Sequence, residues 1–449
     1  MATNTLAADR DGMHTSRSAI TYLPLDSLKP DPANERKHSK KQLRQLAKSI
    51  SRFGFCGVVL IDDRKNIIAG HARVESAKQL GLSEVPTVLI GHLSPEEIRA
   101  FRIADNKLAL NATWDDRLLG EHLRELSEFN LELLDITAFE VGELDLLIED
   151  TAPKADKDDE APAPPSGPPV SKPGDLWELG SHRIYCGNAL EESAYRVLMG
   201  EERAAVVFSD PPYNVPIDGH ASGLGAIHHR EFAMASGEMD ERAFTEFLAQ
   251  TCRLLARYSL DGSLHYLCMD WRHVRELLKA AEPVYAELKN LCVWVKDTPG
   301  MGSFYRSQHE FILVFKNGRA PHQNNMLLGK HGRNRCNVWN YPCARSFSRA
   351  SDEGNLLGLH PTVKPVRLVA DALLDSTARG DIVLDAFLGS GTTLIAAERT
   401  GRRCYALEID PLYVDTAIRR WQAYTGEAAR HAATGRSFDE TASTLGDAE

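Results

Sequence analysis

The sequence has no run approaching the roughly 20 apolar residues that cross a bilayer, and its first stretch, through Arg17, lacks the apolar centre of a secretory leader. No membrane association is expected, and a cytoplasmic location is. Closely spaced cysteine pairs are also missing. The eight cysteines, Cys56, Cys186, Cys252, Cys268, Cys292, Cys336, Cys343 and Cys404, are scattered along the chain. That scatter supports neither a metal site nor a disulfide framework, so reduced thiols and no metal are expected. Net positive charge is absent too. A formal charge of -11 disfavours indiscriminate nucleic-acid binding, because the phosphate backbone rewards clustered Lys and Arg.

Against this average, the stretch from Arg306 to Arg349 holds eight cations and one acid, Glu310, so a local basic surface is available. The length of 449 residues implies two or three domains, since a single core seldom grows beyond about 250 to 300 residues. The clearest boundary runs from Thr151 to Gly174, where Pro, Ala and charged residues replace any apolar period. A segment of that kind forms an extended linker. The expected layout is a flexible tail over 1–18, a first unit over 19–150, the linker over 151–174, a second unit over 175–428 and a flexible tail over 429–449.

In the first unit Ser39 caps a pattern of Leu43, Leu46, Ala47 and Ile50 that Gly54 ends, which predicts a helix. Val58–Ile61 and Val85–Ile90 read as strands around a helical Arg73–Leu80, and Pro95–Leu110 and Arg117–Leu126 have helical periods. The unit is α+β with a helical second half. The second unit alternates strand-like runs (Ala205–Phe208, Ser263–Cys268, Leu291–Val295) with helical ones (Phe244–Arg257, His273–Ala281). Alternation predicts an α/β, doubly wound parallel sheet covered on both faces. After an irregular basic stretch, helix Val366–Thr377, strand Ile382–Phe387, helix Thr392–Thr400 and strand Cys404–Ile409 complete a βαβ unit.

Between the last predicted strand pair lies Asp385-Ala386-Phe387-Leu388-Gly389-Ser390-Gly391-Thr392-Thr393, a glycine turn opening a helix. Glu408 follows about 20 residues later, where an acid accepts hydrogen bonds from ribose hydroxyls. The third glycine of the dinucleotide fingerprint is missing, and Thr392 stands where a phosphate-loop lysine belongs. A phosphate-free nucleoside such as S-adenosylmethionine suits the turn; plain strand-helix packing is the bland alternative.

After the strand Ala205–Phe208 comes Ser209-Asp210-Pro211-Pro212-Tyr213-Asn214. Two prolines stiffen the backbone, so the Asp210 carboxylate and the Pro211 carbonyl present two acceptors to one ligand. An exocyclic amine on adenine or cytosine is a poor nucleophile because its lone pair is delocalised into the ring. Accepting its protons exposes that lone pair, and Tyr213 offers a face on which an extruded base stacks. A proline-stiffened turn is the structural alternative.

These motifs in this order resemble the permuted (beta-type) class of site-specific DNA amino-methyltransferases over residues 174–428. The resemblance implies S-adenosylmethionine as cofactor and double-stranded DNA as substrate. It makes Asp210, Pro211, Pro212 and Tyr213 catalytic, and Asp385, Phe387, Gly389, Gly391, Thr392, Glu408 and Asp410 cofactor-binding. His360-Pro361-Thr362-Val363-Lys364-Pro365 matches the segment that closes over the cofactor, which places Lys364 there. Asn188 stands where relatives carry an acid against the cofactor's adenine. Target recognition is expected in 297–359, with Tyr305, Arg306, Arg333, Arg335 and Trp339 as base- or backbone-reading candidates.

Residues 20–90, and through Leu126 more loosely, resemble the amino-terminal domain of the partition (ParB) proteins, on Asn34-Glu35-Arg36-Lys37-His38-Ser39 and Gly70-His71-Ala72-Arg73. The altered pattern in the second motif argues against nucleotide binding and for DNA binding or self-association. Asp at the head of the tetrapeptide favours adenine over cytosine as the target. Ring methylation through Pro342-Cys343 fits poorly, since it would not need the Asp210–Tyr213 tetrapeptide, and Asp210 with the motif order argues against protein-glutamine methylation; a partition-like DNA-binding adaptor whose methyltransferase unit is inactive is the alternative of another class.

Overall fold

The computed structural model describes residues 19–32, 34–151, 168–215, 235, 237–299, 304–326, 329, 333–342 and 364–446. Two compact units result, 1–119 with 132–139, and 120–131 with 140–449.

The first unit opens with β1 (Ile20–Pro24) and α1 (Lys40–Phe53), continues through β2 (Val59–Ile61), β3 (Ile67–Ala69), α2 (His71–Gln79) and β4 (Glu84–Leu89), and reaches α3 (Pro95–Ala109). Its sheet has the order β1-β4-β2-β3. The Ser39 hydroxyl accepts from Gln42 N at 3.1 Å, and Gly54 leaves the helix at φ +79°, as the capping pattern predicts. Leu25, Val59, Ile61, Ile67, Val74 and Val85 form its core. Next come α4 (Asp116–Phe129), α5 (Leu131–Ile136) and α6 (Val141–Thr151).

The second unit contains β5 (Leu176–Leu179), β6 (His182–Cys186), α7 (Glu192–Met199), β7 (Ala204–Ser209), α8 (Glu241–Arg257), β8 (Ser259–Met269), α9 (Val274–Ala281), β9 (Glu287–Val295) and β10 (His309–Lys316). Then follow β11 (Val338–Asn340), α10 (Val366–Ser376), β12 (Ile382–Asp385), α11 (Thr392–Thr400), β13 (Arg403–Glu408), α12 (Pro411–Thr425), β14 (Arg430–His431) and α13 (Phe438–Gly446). One sheet runs β11-β9-β10-β8-β7-β12-β13-β6-β5-β14. Side chains alternate between its faces. Val206 and Phe208 join the cluster that holds Val369, Ile395 and Trp421, while Val207 joins Tyr195, Leu248 and Leu277 on the other side. This is the doubly wound architecture expected.

Four expectations are corrected. The sheet is mixed, because β10 pairs antiparallel with both β9 and β8. Its Phe-Ile-Leu-Val-Phe run lay inside the stretch taken as irregular and basic. The unit boundary is not at Thr151 either. Asp145 of α6 is 1% exposed and accepts from Arg402, itself 1% exposed, at 3.0 and 2.7 Å, with Arg379 Nε 3.2 Å away. Helix α6 is therefore part of the second unit, since a buried carboxylate needs those cations.

The linker is shorter than its composition implied. Val170 and Ser171 are buried and donate their backbone N–H groups to Asp415 at 2.7 and 3.0 Å; the expectation for 152–167 lies outside the described residues. Finally, 429–446 is no flexible tail. Strand β14 pairs antiparallel with β5, and buried Phe438 meets Trp177 edge-on at 5.3 Å.

Candidate active site

Strands β7, β12, β13 and β6 are parallel neighbours, so their carboxyl ends line one crevice. From β7 the chain crosses to β8 on one side; from β12 it crosses to β13 on the other. The crevice between β7 and β12 is thus a topological switch point, where such sheets bind ligands.

The turn after β12 is built by its own residues. Asp385 Oδ1 accepts from Phe387 N at 3.0 Å and from Ser209 Oγ at 2.9 Å, and its Oδ2 accepts from Thr393 Oγ1 at 2.7 Å. Burial pushes this carboxyl up to about 6, and those donors hold it back. Asp385 is accordingly a hub within the turn. Because Ser209 adjoins Asp210, the same hydrogen bond fixes the Asp-Pro-Pro-Tyr segment beside the glycine turn.

Gly391 caps α11 at φ +88°, and a Cβ there would meet Ala417 at 3.0 Å. Gly389 has φ +55°, yet a Cβ would have nothing within 4 Å. One glycine permits packing; the other faces open crevice. Above it, Glu408 accepts from Gly389 N at 2.8 Å and from Asp410 N at 2.9 Å, two of the four lone-pair positions a carboxylate offers. Burial raises its pKa to about 7. The donor set fits a nucleoside: a carboxylate for hydroxyls, the open backbone of Gly389, and the Phe387 ring, tilted against Phe247 at 5.9 Å.

Other residues expected around the cofactor have structural duties. Asp410 caps α12 through Leu412 N at 2.9 Å. Asn188 Oδ1 accepts from Leu190 N at 2.9 Å, closing a turn after β6. Thr392 Oγ1 lies 3.4 Å from the Lys364 carbonyl.

The Lys364 side chain goes elsewhere than expected. Its Nζ is 2.5 Å from Asp210 Oδ2, 2.8 Å from Glu310 Oε2 and 3.1 Å from Tyr213 OH. Tyr213 OH donates to Asp210 Oδ1 at 2.5 Å, and Lys296 Nζ sits 2.5 Å from Glu310 Oε1. Two carboxylates and two ammonium groups thus form a neutral cluster in which Lys364 and Glu310 are buried and Asp210 and Lys296 half-buried. Burial raises the Asp210 carboxyl while Lys364 pulls it back; burial also acts upward on Glu310, but Lys364 and Lys296 hold it below its usual range. Lys296 and Glu310 escaped the sequence reading, although a lone acid in a basic stretch was the available signal.

Of the recognition candidates, Tyr305 is 87% exposed, its ring 4.3 Å from that of Phe304, and Arg306 NH2 donates to Pro299 O at 3.3 Å. The other three are corrected. Arg333 is buried and holds Asp375 at 2.9 Å and Asp371 at 3.2 Å. Trp339 is 5% exposed and donates to Cys336 O, with Arg335 over its ring at 4.8 Å. Arg335 is itself 3.3 Å from Asp375. These residues brace β11 against α10 and are not free to read bases. In the first unit Arg73 reaches back to Val58 O at 3.4 Å, and buried Arg102 is held by Asp31 and Glu35. Residues 343–363, including Cys343 and His360–Val363, lie outside the described residues.

A carboxylate acceptor beside a nucleoside crevice, at the head of a permuted motif order, defines a base-modifying methyltransferase, and the comparisons agree. Residues 204–419 match the family described as DNA methylase of the N6/N4 type, residues 9–107 the ParB N-terminal domain and residues 117–173 the ParB-methyltransferase HTH domain. The chain thus carries an N6/N4 DNA methylase domain fused to an amino-terminal ParB domain. It is similar to Type II methyltransferase M2.MboI of Moraxella bovis, 25% identical over 253 residues, 54% of this chain and 88% of the relative. It also resembles the ParB-like nuclease domain-containing protein YnaK of Escherichia coli (strain K12), 44% identical over 78 residues, 17% of this chain and 90% of that one. Among solved structures, PvuII DNA methyltransferase (cytosine-N4-specific) aligns at 15% identity and TM-score 0.41, over 59% of this chain and 91% of its own.

Methylases of this family use S-adenosylmethionine, as the motifs implied. With Glu408 raised to about 7 by burial, the ionised form, the one suited to accept ribose hydroxyls, grows as pH climbs through 7. Cofactor affinity measured by calorimetry is expected to rise roughly tenfold from pH 6 to pH 8, and Glu408→Gln should flatten the curve. A flat wild-type curve would remove Glu408 from the cofactor site.

Proposed function

We propose that this chain methylates the exocyclic amino nitrogen of adenine at a specific sequence in double-stranded DNA. The observation that carries the proposal is the Ser209–Asp385 hydrogen bond, which sets the Asp210 carboxylate beside the crevice at Gly389.

S-Adenosylmethionine supplies an electrophilic methyl on a sulfonium. The chain's residues supply the rest. Asp210 and the Pro211 carbonyl accept the two amine hydrogens, which localises the nitrogen lone pair and leaves it pointing at the cofactor side of the pocket. Asp210 then takes the proton that the alkylated nitrogen sheds. The ring of Tyr213 provides the stacking face. No thiolate is needed: burial holds Cys268, which borders the cluster, well above the ordinary thiol range. Asp at the head of the tetrapeptide, a charged acceptor, supports adenine over cytosine.

The segment matched as HTH does not suit a phosphate backbone. Over its matched residues, 117–173, it carries fourteen acids against two arginines and three lysines, and α6 spends Asp145 on Arg402. DNA contact therefore falls to other surfaces, with Tyr305 and Arg306 as candidates.

Expression in a host lacking DNA methylation, followed by single-molecule sequencing of modified bases, tests the reading. N6-methyladenine recurring in one short sequence is expected. N4-methylcytosine would move the target to cytosine, and no modified base would overturn the proposal.

A further inference from the structure

Each oxygen of Asp210 already accepts one short hydrogen bond, Oδ1 from the Tyr213 hydroxyl at 2.5 Å and Oδ2 from Lys364 Nζ at 2.5 Å. An amine arriving from a target base must place one of its N–H groups on this carboxylate. An ammonium and a base amine are both nitrogen donors, so Lys364 competes with the substrate amine for the same carboxylate oxygen. The obstacle is substantial, since Lys364 is 4% exposed and a buried ion pair does not open unless each charge keeps a partner.

Glu310 provides that partner. It stands on β10, between β9 and β8, with Oε2 2.8 Å from Lys364 Nζ and Oε1 2.5 Å from Lys296 Nζ. Lys364 Nζ also lies 5.5 Å from the centre of the Tyr213 ring and 5.8 Å from that of Trp294, so an ammonium released by Asp210 keeps a carboxylate and two aromatic faces. We infer that Lys364 is a stand-in for the substrate amine, and that Glu310 is the positioning residue which retains Lys364 when the target base displaces it from Asp210. One N–H donor replaces another on the same oxygen, and no buried charge is stranded. The device also keeps the acceptor aligned before substrate arrives, because Asp210 is hydrogen-bonded in its working orientation throughout.

The inference rests on the proposed methyl transfer and is separable from it. Labelled-methyl transfer to DNA is measured for wild type, Glu310→Gln and the double variant Glu310→Gln/Lys364→Met, with the cofactor Kd and melting temperature of each. In Glu310→Gln, Lys364 has no carboxylate but Asp210, so kcat should fall about 100-fold while the cofactor Kd holds. Removing the stranded ammonium in the double variant should recover at least about tenfold of that loss. A purely structural Glu310 predicts the opposite, a double variant no better than the single one. Equal turnover in wild type and Glu310→Gln, or no recovery in the double variant, overturns the inference; no transfer by wild type overturns the function instead. Should Glu310→Gln fail to fold, a crystal structure of wild type with duplex DNA and a cofactor analogue decides: Lys364 Nζ on Glu310 and off Asp210 is expected, and Lys364 still on Asp210 refutes it.

Discussion

Asp210→Ala should lower kcat for methyl transfer by at least about 10³-fold while the Kd for S-adenosylmethionine changes by less than about threefold. In the proposed mechanism the carboxylate accepts a hydrogen from the attacking nitrogen, and no neighbour replaces it. Lys364 and Tyr213 are donors toward Asp210, and Glu310 is occupied by Lys296 and Lys364. The fold should survive, because Lys364 keeps Glu310 at 2.8 Å once Asp210 is gone. Cofactor binding should survive as well, since the glycine turn is organised by Asp385 and Glu408. Asp210→Asn should fall nearly as far: its one amide oxygen is a weaker acceptor and would be held by the Lys364 ammonium. Filter-bound label and calorimetry separate the two effects, and a tenfold loss or less would show that Asp210 is not the acceptor.

The other large effect concerns α6. Asp145→Ala leaves the Arg402 guanidinium, 1% exposed, and the neighbouring Arg379 without their shared carboxylate. Breaking a buried pair from one side costs about 3 to 5 kcal/mol, which for a unit of this size lowers Tm by roughly 10 °C. Differential scanning fluorimetry on the whole protein measures it. Arg402 still donates to Thr377 O at 2.7 Å and to Thr400 O at 2.6 Å, so the loss comes from unpaired charge and not from missing hydrogen bonds. A fragment starting at residue 168 should show the same defect, and one starting at residue 138 should not. Equal melting of the two fragments would mean that α6 is dispensable.

The reach of the sequence differed from place to place for physical reasons. The glycine turn and the Asp-Pro-Pro-Tyr segment were legible because each is local: strand, turn and helix cap follow within a dozen residues, and Glu408 lies at a fixed distance on the next strand. Strand β10 was hidden because the surrounding cations dominated the composition, although its continuous apolar run is what a strand buried on both faces requires. Arg333 and Trp339 were read as surface groups because their distant partners, Asp371 and Asp375 for the one and the Tyr266 ring at 6.4 Å for the other, become neighbours only in the folded unit. Lys364 shows the same limit in sharper form. Its motif was recognised and its backbone lies beside the cofactor turn, yet its ammonium is drawn to Asp210 and Glu310, 154 residues and 54 residues distant in sequence. Composition put the break near Thr151, but α6 is tied to the second unit by Asp145, a single buried acid inside an acidic helix.

A single-turnover reaction with methyl-labelled S-adenosylmethionine and duplex DNA, digested to nucleosides and resolved by mass spectrometry, tests the central claim directly. Label on the exocyclic nitrogen of one base, absent with Asp210→Ala, is the expected result. Label on a ring carbon, label retained on the protein, or transfer that persists undiminished in Asp210→Ala would contradict it.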